Sequence, residues 1–405
     1  MAPKEVSFFK WILSVVLAIF IFSCSDNGDS DPQPDENNLV EATSVGSWPA
    51  AQLKLLAQLA GRDIDVNLIL HDVEVFRVVY KTNYRDTEIE ASGLVLLPKA
   101  TTSVPMISFQ RGTLVQQSDA PSIQELQSED VLSYSALAST GLITAVPDMI
   151  GFGESNDIFH PYYIEEATAD AVIDLIRAAA TLAGEEGIQF DERLFLAGYS
   201  QGGYSTLAAH KALESEPIPE IEVIASFPGA GGYDINGMLD YFRSLDTYPD
   251  PHYLAYVGLS YQSYYEEDQL LTDFFKEPYA SRIPSLFNGT NSAGDIDGQL
   301  SADISALVRE EILVGSDTYE PNAYLREKFD ENSLLDWTPV APVYFYHGDA
   351  DVVVPLANTQ MTYETLLSNG ANPDNTELII MPGYDHGSGA VPYVEDVIRK
   401  LQQLK

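Results

Sequence analysis

A serine between two glycines is the first group in this sequence that could do covalent chemistry. Residues 194–203 read LFLAGYSQGG, in which alternating apolar residues typical of a strand give way to a G-x-S-x-G pattern centred on Ser200. A helical pattern follows, and a sharp strand-to-helix turn strains the serine backbone and lifts its hydroxyl above the sheet edge. Only glycine at positions 198 and 202 avoids a clash with the neighbouring strand and helix. The pattern therefore predicts a nucleophile elbow, with Ser200 as the nucleophile.

The start of the helix after Ser200 could stabilise negative charge in the reaction. Backbone N–H groups and partial positive charge at a helix N-terminus stabilise negative charge. A carbonyl group attacked by a serine develops such a charge on its oxygen. Gln201 is the first residue of the predicted helix, so we expect its backbone N–H to form one half of an oxyanion hole.

A serine hydroxyl also needs a base, because it is a weak nucleophile at neutral pH. Of the six histidines, His386 follows the last strand-like run in the glycine-rich stretch LIIMPGYDHGSG, from which it can reach back over the sheet edge. His386 is therefore the predicted base. The others are expected to be surface, core or loop-shaping residues, namely His71, His160, His210, His252 and His347.

The base in turn needs a carboxylate that fixes its tautomer and stabilises the imidazolium. The stretch YFYHGDADVVVP offers Asp349 and Asp351 directly after the penultimate strand-like run. Asp234, in the loop after an earlier strand, is a more distant candidate. The residues alone leave these alternatives open.

The elements that must position these side chains alternate along the chain. A repeated strand-then-helix pattern implies right-handed crossovers and a mostly parallel sheet covered on both faces. The first two strands have no helix between them and are expected to form an antiparallel hairpin at the sheet edge. The eight strand-like runs cover residues 73–82, 91–98, 105–112, 141–148, 193–200, 222–229, 342–349 and 376–383.

Residues 230–336 interrupt this alternation. They contain no clear strand pattern and carry 11 of the 23 tyrosines, which is typical of an insertion placed over the sheet as a lid or cap. Its aromatic side chains could line a cleft for acyl chains, stack on sugar rings, or form a small core of their own.

Taken together, these motifs resemble the α/β-hydrolase family. The chain order Ser200, Asp351, His386 is the order of its triad, and the H-G-x-x-D-x-x-V-P stretch resembles its acid loop. The resemblance implies an eight-stranded, mostly parallel sheet with helices on both faces and an inserted cap, with Asp351 as the acid. It also implies a structural role for Asp148, whose hydrogen bonds would fix the turn in a D-x-x-G-x-G-x-S segment.

The resemblance further implies that the second oxyanion donor lies after the third strand. Family members often carry His-Gly there, whereas this chain reads SFQRGTL, so that Arg111 replaces the histidine and Gly112 is kept. The backbone N–H of Thr113 is the predicted donor, with Leu114 as the alternative. Arg111 is expected to pair with an internal acid or to meet an anionic group of the substrate.

The predicted function is that of a serine hydrolase which cleaves carboxylic esters through an acyl-enzyme, because the chain looks most like the secreted lipases and esterases of this family. One alternative is a serine peptidase of the same fold, in which Glu266, Glu267 and Asp268 could hold a substrate amino group. Another is a surface lipoprotein that binds without catalysis. No metal or cofactor is predicted, since C-x-x-C and H-E-x-x-H are missing and the GDIDGQ stretch at 294–299 does not fit a calcium loop.

The N-terminus predicts export. Lys4 and Lys10 precede an apolar run at residues 11–22 that is shorter than the roughly 20 residues of a membrane span. The run ends in IFIFSCSD, which resembles the lipobox of bacterial lipoproteins, in which the cysteine becomes the lipidated N-terminus. We therefore predict lipidation of Cys24 and attachment through this lipid anchor to the outer membrane or cell surface. Secretion in free form is the alternative.

The amino-acid composition limits the possible binding partners and indicates how the chain is divided into parts. The chain has 405 residues and a net charge of −40, from 61 acidic and 21 basic side chains, which argues against nucleic-acid binding. Residues 25–38 are acidic and contain no aliphatic or aromatic side chain, so they cannot bury enough surface to order themselves. The predicted parts are a signal peptide at 1–23, a tether at 24–38, a hydrolase core at 39–229 and 337–405, and a cap at 230–336.

Overall fold

The computed structural model describes residues 38–60, 65–316 and 318–405. The predicted signal peptide, Cys24 and residues 25–37 of the predicted tether lie outside the described residues. Asn38 is described and buried, and its side-chain amide donates to the Asp174 carbonyl at 2.7 Å. Among the described helices, none combines the length and the apolar character that a membrane span requires.

The described residues form one sheet of nine strands, in the order β1-β2-β3-β5-β4-β6-β7-β8-β9. The pairs β1–β2, β2–β3 and β3–β5 are antiparallel, and the remaining pairs are parallel. The strands are β1 (Leu39–Trp48), β2 (Val73–Tyr84), β3 (Thr87–Pro98), β4 (Val104–Gln110), β5 (Ile143–Pro147), β6 (Phe190–Tyr199), β7 (Glu222–Gly229), β8 (Val343–Gly348) and β9 (Thr376–Met381).

All eight predicted strands are present as β2–β9, and the predicted α/β-hydrolase fold class is confirmed, but the predicted strand number is wrong because the sheet has nine strands. The first two predicted strands do form a hairpin, but its expected place at the sheet edge is wrong, because β1 pairs with β2 outside it. The β1 sequence LVEATSVGSW is exposed along most of its length, with only Trp48 buried. An edge strand that buries so little shows no clear apolar alternation, which is why the sequence pattern did not reveal it.

Helices cover both faces of the sheet. One face packs against the helices Glu129–Ser139 and Ala390–Leu404 through residues such as Leu137, Tyr393 and Ile398. The other packs against the helices Glu165–Glu185 and Gln201–Ser215, and the first of these contributes an apolar stripe of Ala169, Val172, Ile173 and Ile176. The helices outside the 230–336 segment are α1 (Ala50–Ala60), α2 (Glu129–Ser139), α3 (Glu165–Glu185), α4 (Gln201–Ser215), α13 (Leu356–Ser368) and α14 (Ala390–Leu404).

Residues 230–336, called here the helical segment, connect β7 to β8. Residue 317 apart, this segment contains eight helices and only isolated β-bridges. Several of its tyrosines are buried within it, and the rings of Tyr261 and Phe329 meet edge to face at 4.9 Å. The helices are α5 (Ile235–Arg243), α6 (His252–Tyr265), α7 (Leu270–Phe274), α8 (Tyr279–Leu286), α9 (Ala293–Asp297), α10 (Ile304–Leu307), α11 (Glu310–Leu313) and α12 (Glu320–Asn332).

A buried hydroxyl joins two central strands where they approach the sheet edge. Tyr393 of α14 is fully buried, and its hydroxyl accepts from the Gly198 N–H of β6 at 2.7 Å. The same hydroxyl donates to the Phe227 carbonyl of β7 at 2.6 Å. The tyrosine hydroxyl thus bridges a backbone donor of β6 and a backbone acceptor of β7. It therefore fixes the backbone two residues before Ser200.

Candidate active site

Ser200 stands at the turn between β6 and α4 in a strained conformation. Its backbone has φ 60° and ψ −124°, a region that L-residues other than glycine rarely adopt. A Cβ at position 198 would lie 2.3 Å from the Gly202 carbonyl oxygen, and one at position 202 would lie 2.0 Å from the Gln110 oxygen. The predicted need for glycine at both positions is confirmed. The turn is a strand-to-helix elbow that presents the serine hydroxyl at the carboxyl edge of the sheet.

His386 reaches Ser200 from the loop after β9. Its Nε2 lies 2.8 Å from Ser200 Oγ, although the two residues are 186 positions apart. The Tyr199 ring packs 5.5 Å from the imidazole, measured between ring centroids. Hydrogen bonds also shape the loop: Asp349 Oδ1 accepts from the Gly383 N–H at 2.6 Å, and Asp385 accepts from the Ser388 N–H at 2.8 Å. The imidazole is thus supported from both sides.

Asp351 completes the contact chain. Its Oδ2 lies 2.6 Å from His386 Nδ1, and its Oδ1 accepts from the N–H groups of Val353 and Val354, each at 2.9 Å. Burial of the Asp351 carboxyl would raise its pKa, but hydrogen bonds from His347 and His386 outweigh burial and lower the pKa from 3.8 to about 2. A carboxylate held ionised in this way fixes the proton of His386 on Nδ1 and leaves Nε2 free to accept one.

The other two acid candidates lie elsewhere. Asp349 is exposed and contacts the histidine loop rather than the imidazole. Asp234 caps the start of α5, where its Oδ1 accepts from the Gly237 N–H at 2.8 Å. Of the three, the structure brings only Asp351 into contact with His386.

His347 shapes the acid loop, as expected from the resemblance. The Thr359 hydroxyl lies 2.6 Å from its Nδ1, while its Nε2 lies 2.9 Å from the Val354 carbonyl and 3.3 Å from Asp351 Oδ2. Because a carbonyl oxygen only accepts, the proton is on Nε2 and is shared between these two oxygens. The His347 ring therefore adds a further donor to Asp351.

None of the four remaining histidines contacts Ser200. His210 and His252 are buried and bind Glu214 and Asp297 respectively, and His71 is half-buried near Gly141. His160 is buried beside the site, where Gln201 Nε2 lies 2.6 Å from its Nε2 and the Ile150 carbonyl lies 2.6 Å from its Nδ1. Burial lowers the pKa of His160 to about 4, so it is neutral and accepts from Gln201.

The predicted oxyanion loop runs beside Ser200. A Cβ built on Gly112 would lie 3.8 Å from Ser200 Cβ, which places the backbone of Gly112 beside Ser200. Leu114, the alternative donor, buries its side chain with Ala120 and Phe152. The Thr113 hydroxyl lies 2.7 Å from the hydroxyl of Tyr162. No sequence motif pointed to Tyr162.

Two residues near this loop have internal partners. Arg111 donates to the Asp119 carbonyl and lies 3.6 Å from the Asp130 carboxylate. The internal acid expected for Arg111 is therefore present. Asp148 is buried and accepts from the hydroxyl of Ser92 at 2.6 Å and from the Ser122 N–H at 2.8 Å, which fits its expected structural role. Burial raises the pKa of Asp148.

An apolar cavity opens at Ser200 and extends into the helical segment. Its wall contains almost no polar surface apart from tyrosine hydroxyls. Glu266, Glu267 and Asp268, proposed above as a site for an amino group, do not line it, and Glu266 is paired with Arg85 at 2.5 Å. The cavity is lined by Tyr162, Tyr163, Ser200, Gly232, Ile235, Met238, Leu239, Phe242, Tyr248, Tyr253, Leu254, Val257, Gly258, Leu270, Phe274, Leu325, Phe329, Val353 and Val354.

In the described part of the chain, one group of three residues brings together potential metal ligands. Atoms of Asp250, His252 and Asp297 lie within 4.8 Å of one another. Both Asp297 oxygens lie 2.9 Å from His252 Nδ1, and one also accepts from the His252 N–H at 2.8 Å. An imidazole nitrogen that donates a proton to a carboxylate is not free to bind a metal. The contacts instead cap the N-terminus of α6, which begins at His252.

Comparison with known proteins places this geometry among lipases and esterases. A family model described as secretory lipase matches residues 116–381. Lipase 1 of Candida albicans is 24% identical over 227 residues, which is 52% of this chain but only 45% of that protein. A solved hydrolase structure from Legionella pneumophila is 26% identical in sequence and superposes with a TM-score of 0.79; the superposition covers 90% of this chain and 98% of the Legionella chain. The rice cell wall degrading esterase LipA of Xanthomonas oryzae is 23% identical and superposes with a TM-score of 0.77, over 92% of this chain and 100% of the LipA chain.

The low pKa of Asp351 predicts a pH-dependent contribution to stability. Because the folded-state pKa of about 2 lies below the ordinary 3.8, the contribution is complete above about pH 4 and is lost as the pH falls through about 2. Nearly two pKa units correspond to about 2 kcal/mol. Urea unfolding of the wild type and Asp351→Asn between about pH 6 and pH 2 should therefore show the stability difference narrowing by about 2 kcal/mol at low pH.

Asp349→Asn is the matched control, since it removes one negative charge from the same loop without touching His386. An equal narrowing in the Asp349 variant, or none in the Asp351 variant, would contradict the assignment of Asp351 as the paired carboxylate.

Proposed function

The chain belongs to the secretory lipase family, and we propose that it is a serine hydrolase that cleaves carboxylic esters through an acyl-enzyme intermediate. The observation that carries the proposal is the unbroken contact chain from Ser200 through His386 to Asp351 at the mouth of an apolar cavity. The elbow strain at Ser200 supports it, since strained backbone is concentrated at functional sites.

In the proposed reaction, His386 Nε2 takes the Ser200 proton as Oγ attacks the ester carbonyl carbon. The tetrahedral intermediate collapses, the bond to the alkoxy oxygen breaks, and the leaving alcohol takes the proton from His386. A water molecule then repeats these steps on the acyl-enzyme and releases the carboxylic acid. Asp351 remains ionised throughout and stabilises the imidazolium that forms twice in the cycle.

The oxyanion is proposed to accept from the backbone N–H groups of Gln201 and Thr113. Gln201 is the first residue of α4, where an N–H has no intrahelical partner and the helix dipole is positive. The contact between its side chain and His160 supports this role, because it holds Gln201 in one conformation. Thr113 is proposed because Gly112 holds the preceding backbone against Ser200.

The chemistry of the cavity favours an ester with an apolar acyl group. Its lining comes mainly from α5, α6 and α12, so we propose that the helical segment is a cap whose aromatic and aliphatic side chains hold the acyl chain. A peptidase would need a charged group to hold a substrate amino end, and the cavity lining contains no carboxylate. The helical segment would then determine acyl preference, while the sheet edge carries the reaction.

Membership of a secretory family supports the export predicted from the N-terminus. We further propose that Cys24 is lipidated after removal of residues 1–23, and that residues 25–38 tether the enzyme to the envelope. The proposal rests on the lipobox resemblance of IFIFSCSD and on the acidic composition that follows. Acyl chains on one residue give stable attachment, since each buried methylene contributes about 0.8 kcal/mol.

Covalent labelling tests the nucleophile. A fluorescent fluorophosphonate should label the wild type and leave Ser200→Ala unlabelled, because only an activated serine attacks the phosphorus. Ser205→Ala is the control, since Ser205 lies one turn further along α4 and donates to the Gln201 carbonyl. Labelling that persists in Ser200→Ala, or a wild type that is neither labelled nor active on esters, would refute the proposed mechanism and favour a binding role.

Narrowing the cavity tests the substrate class. Val257 of α6 lines the cavity, and Val257→Phe should lower kcat/KM for a decanoate ester by about 10-fold or more relative to a butyrate ester, because longer chains lose buried contacts. Val314→Phe is the control, because Val314 is 68% exposed in the same segment and does not line the cavity. An unchanged chain-length profile in Val257→Phe would place the acyl group elsewhere.

Phase partition tests the anchor. Full-length protein made in a bacterial host should partition into the detergent phase of Triton X-114 and incorporate labelled palmitate, whereas Cys24→Ala should remain aqueous and keep its esterase activity. Cys24 is the only cysteine, so incorporation cannot arise from another thiol. A Cys24→Ala variant that still enters the detergent phase would contradict lipidation at this position.

A further inference from the structure

Two tyrosines of the helical segment reach the loop that holds Asp351. The hydroxyl of Tyr241, in α5, donates to the Val352 carbonyl at 2.8 Å. The hydroxyl of Tyr248, in the loop after α5, donates to the Val353 carbonyl at 3.2 Å. Since a carbonyl oxygen can only accept, both phenols are the donors. The partners lie 111 and 105 positions apart in the chain, so both contacts depend on how the helical segment folds against the acid loop.

The carbonyl groups that accept from the tyrosines belong to the same peptide groups that donate to Asp351. The C=O of Val352 and the N–H of Val353 form one peptide group, and the C=O of Val353 and the N–H of Val354 form the next. Both N–H groups donate to Asp351 Oδ1 at 2.9 Å. Two chains of hydrogen bonds therefore run side by side, each from a phenol through one peptide group to the same carboxylate oxygen.

A peptide group transmits the effect of a hydrogen bond from its oxygen to its N–H. The C–N bond has partial double-bond character, and a donor at the oxygen increases the charge separation across the group. The N–H then becomes a stronger donor, and the peptide group is held at both ends. The carboxylate that receives these bonds is buried, and its other oxygen accepts from His386 Nδ1 at 2.6 Å. The orientation of the imidazole therefore depends on how firmly the two peptide groups hold Asp351.

Both tyrosines keep the proton that they donate. Tyr248 is buried, its ring meets that of Phe242 edge to face at 4.8 Å, and burial raises its pKa well above the ordinary value. Tyr241 is half-buried, and its pKa is raised by burial and then by the negative charge of Asp351. The ring of Tyr248 lines the cavity at Ser200, whereas Tyr241 does not. The two residues therefore share the contact with the acid loop but differ in their access to a ligand.

We propose that Tyr241 and Tyr248 are positioning residues for the reaction, which act through the two peptide groups on Asp351 and through Asp351 on His386. This inference rests on the proposed function, because it assigns a role to the triad formed with Ser200. No proton is transferred along the two chains, and each tyrosine keeps its O–H bond. The helical segment thereby supports the catalytic acid in addition to lining the cavity.

Removing each hydroxyl while keeping the ring tests the proposal. Tyr241→Phe and Tyr248→Phe should each lower kcat for a butyrate ester by about 3- to 10-fold with KM within about twofold. The effect falls on kcat because Asp351 stabilises the imidazolium that forms only as the reaction proceeds. The rate at which a fluorophosphonate labels Ser200 should fall by a similar factor. Thermal unfolding checks that each variant is folded, and either variant alone suffices for the test.

Two other tyrosines provide matched controls, because their hydroxyls also donate to backbone carbonyls but outside the acid loop. Tyr319 is half-buried in the helical segment and donates to the Asp273 carbonyl at 2.9 Å. Tyr80 is fully buried and donates to the Ala171 carbonyl at 2.8 Å. Tyr319→Phe and Tyr80→Phe should keep the kcat of the wild type. Losses in these controls equal to those in the test variants would attribute the effect to general loosening of the fold and refute the positioning role.

A double-mutant cycle with Asp351→Asn separates a positioning role from a structural one. In the Asp351→Asn background, Tyr241→Phe and Tyr248→Phe should change the residual kcat and the labelling rate by less than about twofold, because the carboxylate through which they act is gone. A structural contribution would instead lower both quantities by the same factor in the two backgrounds. That result would refute the inference.

The remaining outcomes distinguish this inference from the proposed function. If the wild type hydrolyses esters through Ser200, but Tyr241→Phe and Tyr248→Phe both match it in kcat and labelling rate, the positioning role is refuted and the proposed function stands. If the wild type has no Ser200-dependent esterase activity, the proposed function fails and this inference fails with it.

Discussion

The contact between Ser200 and His386 sets the main geometric constraint on this molecule. Ser200 follows β6 and His386 follows β9, so three strand spacings, about 14 Å in a regular sheet, separate the ends of the two strands. The loop between β9 and α14 must cross back over β8 and β7 to bring the imidazole within 2.8 Å of the hydroxyl. The contact is possible only because β6, β8 and β9 run parallel and end at the same edge, which in turn requires the helical crossovers on both faces. The layered architecture is therefore a consequence of bringing these loops together.

A buried negative charge is the second requirement. Removing a carboxylate from water is unfavourable unless hydrogen bonds replace its hydration. Asp351 receives two backbone N–H groups, the Nδ1–H of His386 and part of the Nε2–H of His347. These donors come from the acid loop, the histidine loop and the end of β8, so the ionised carboxylate joins three separate parts of the chain. A chain of net charge −40 gives no long-range help to a carboxylate, which makes these local donors decisive.

The sequence predicted those parts of the fold and site whose residues repeat or cluster along the chain. The alternating strands and the turn at Ser200 were predicted because local patterns report them directly. The contacts of His386 and Asp351 with each other and with Ser200 were predicted because each residue follows a strand that ends at the same edge of the sheet. The polar strand β1 was missed because an exposed edge strand needs no apolar alternation. Tyr393 and Tyr162 were missed for a different reason, and the contact of His160 with Gln201 was not predicted. These side chains act through hydrogen bonds to residues distant in the chain, and no local pattern encodes a contact that forms only when the chain is folded.

The helical segment contacts the same loop that holds Asp351, and is connected through it to His386 and Ser200. The hydroxyl of Tyr241 donates to the Val352 carbonyl at 2.8 Å, and that of Tyr248 donates to the Val353 carbonyl at 3.2 Å. The N–H group of Val353 donates to Asp351, while its side chain lines the cavity. One short stretch of backbone thus supports the carboxylate on one side and forms the cavity wall on the other. Since core packing transmits small displacements rather than absorbing them, a ligand that shifts this wall also shifts the donors of Asp351. The packing of the cavity wall and the orientation of His386 are therefore coupled by direct contacts.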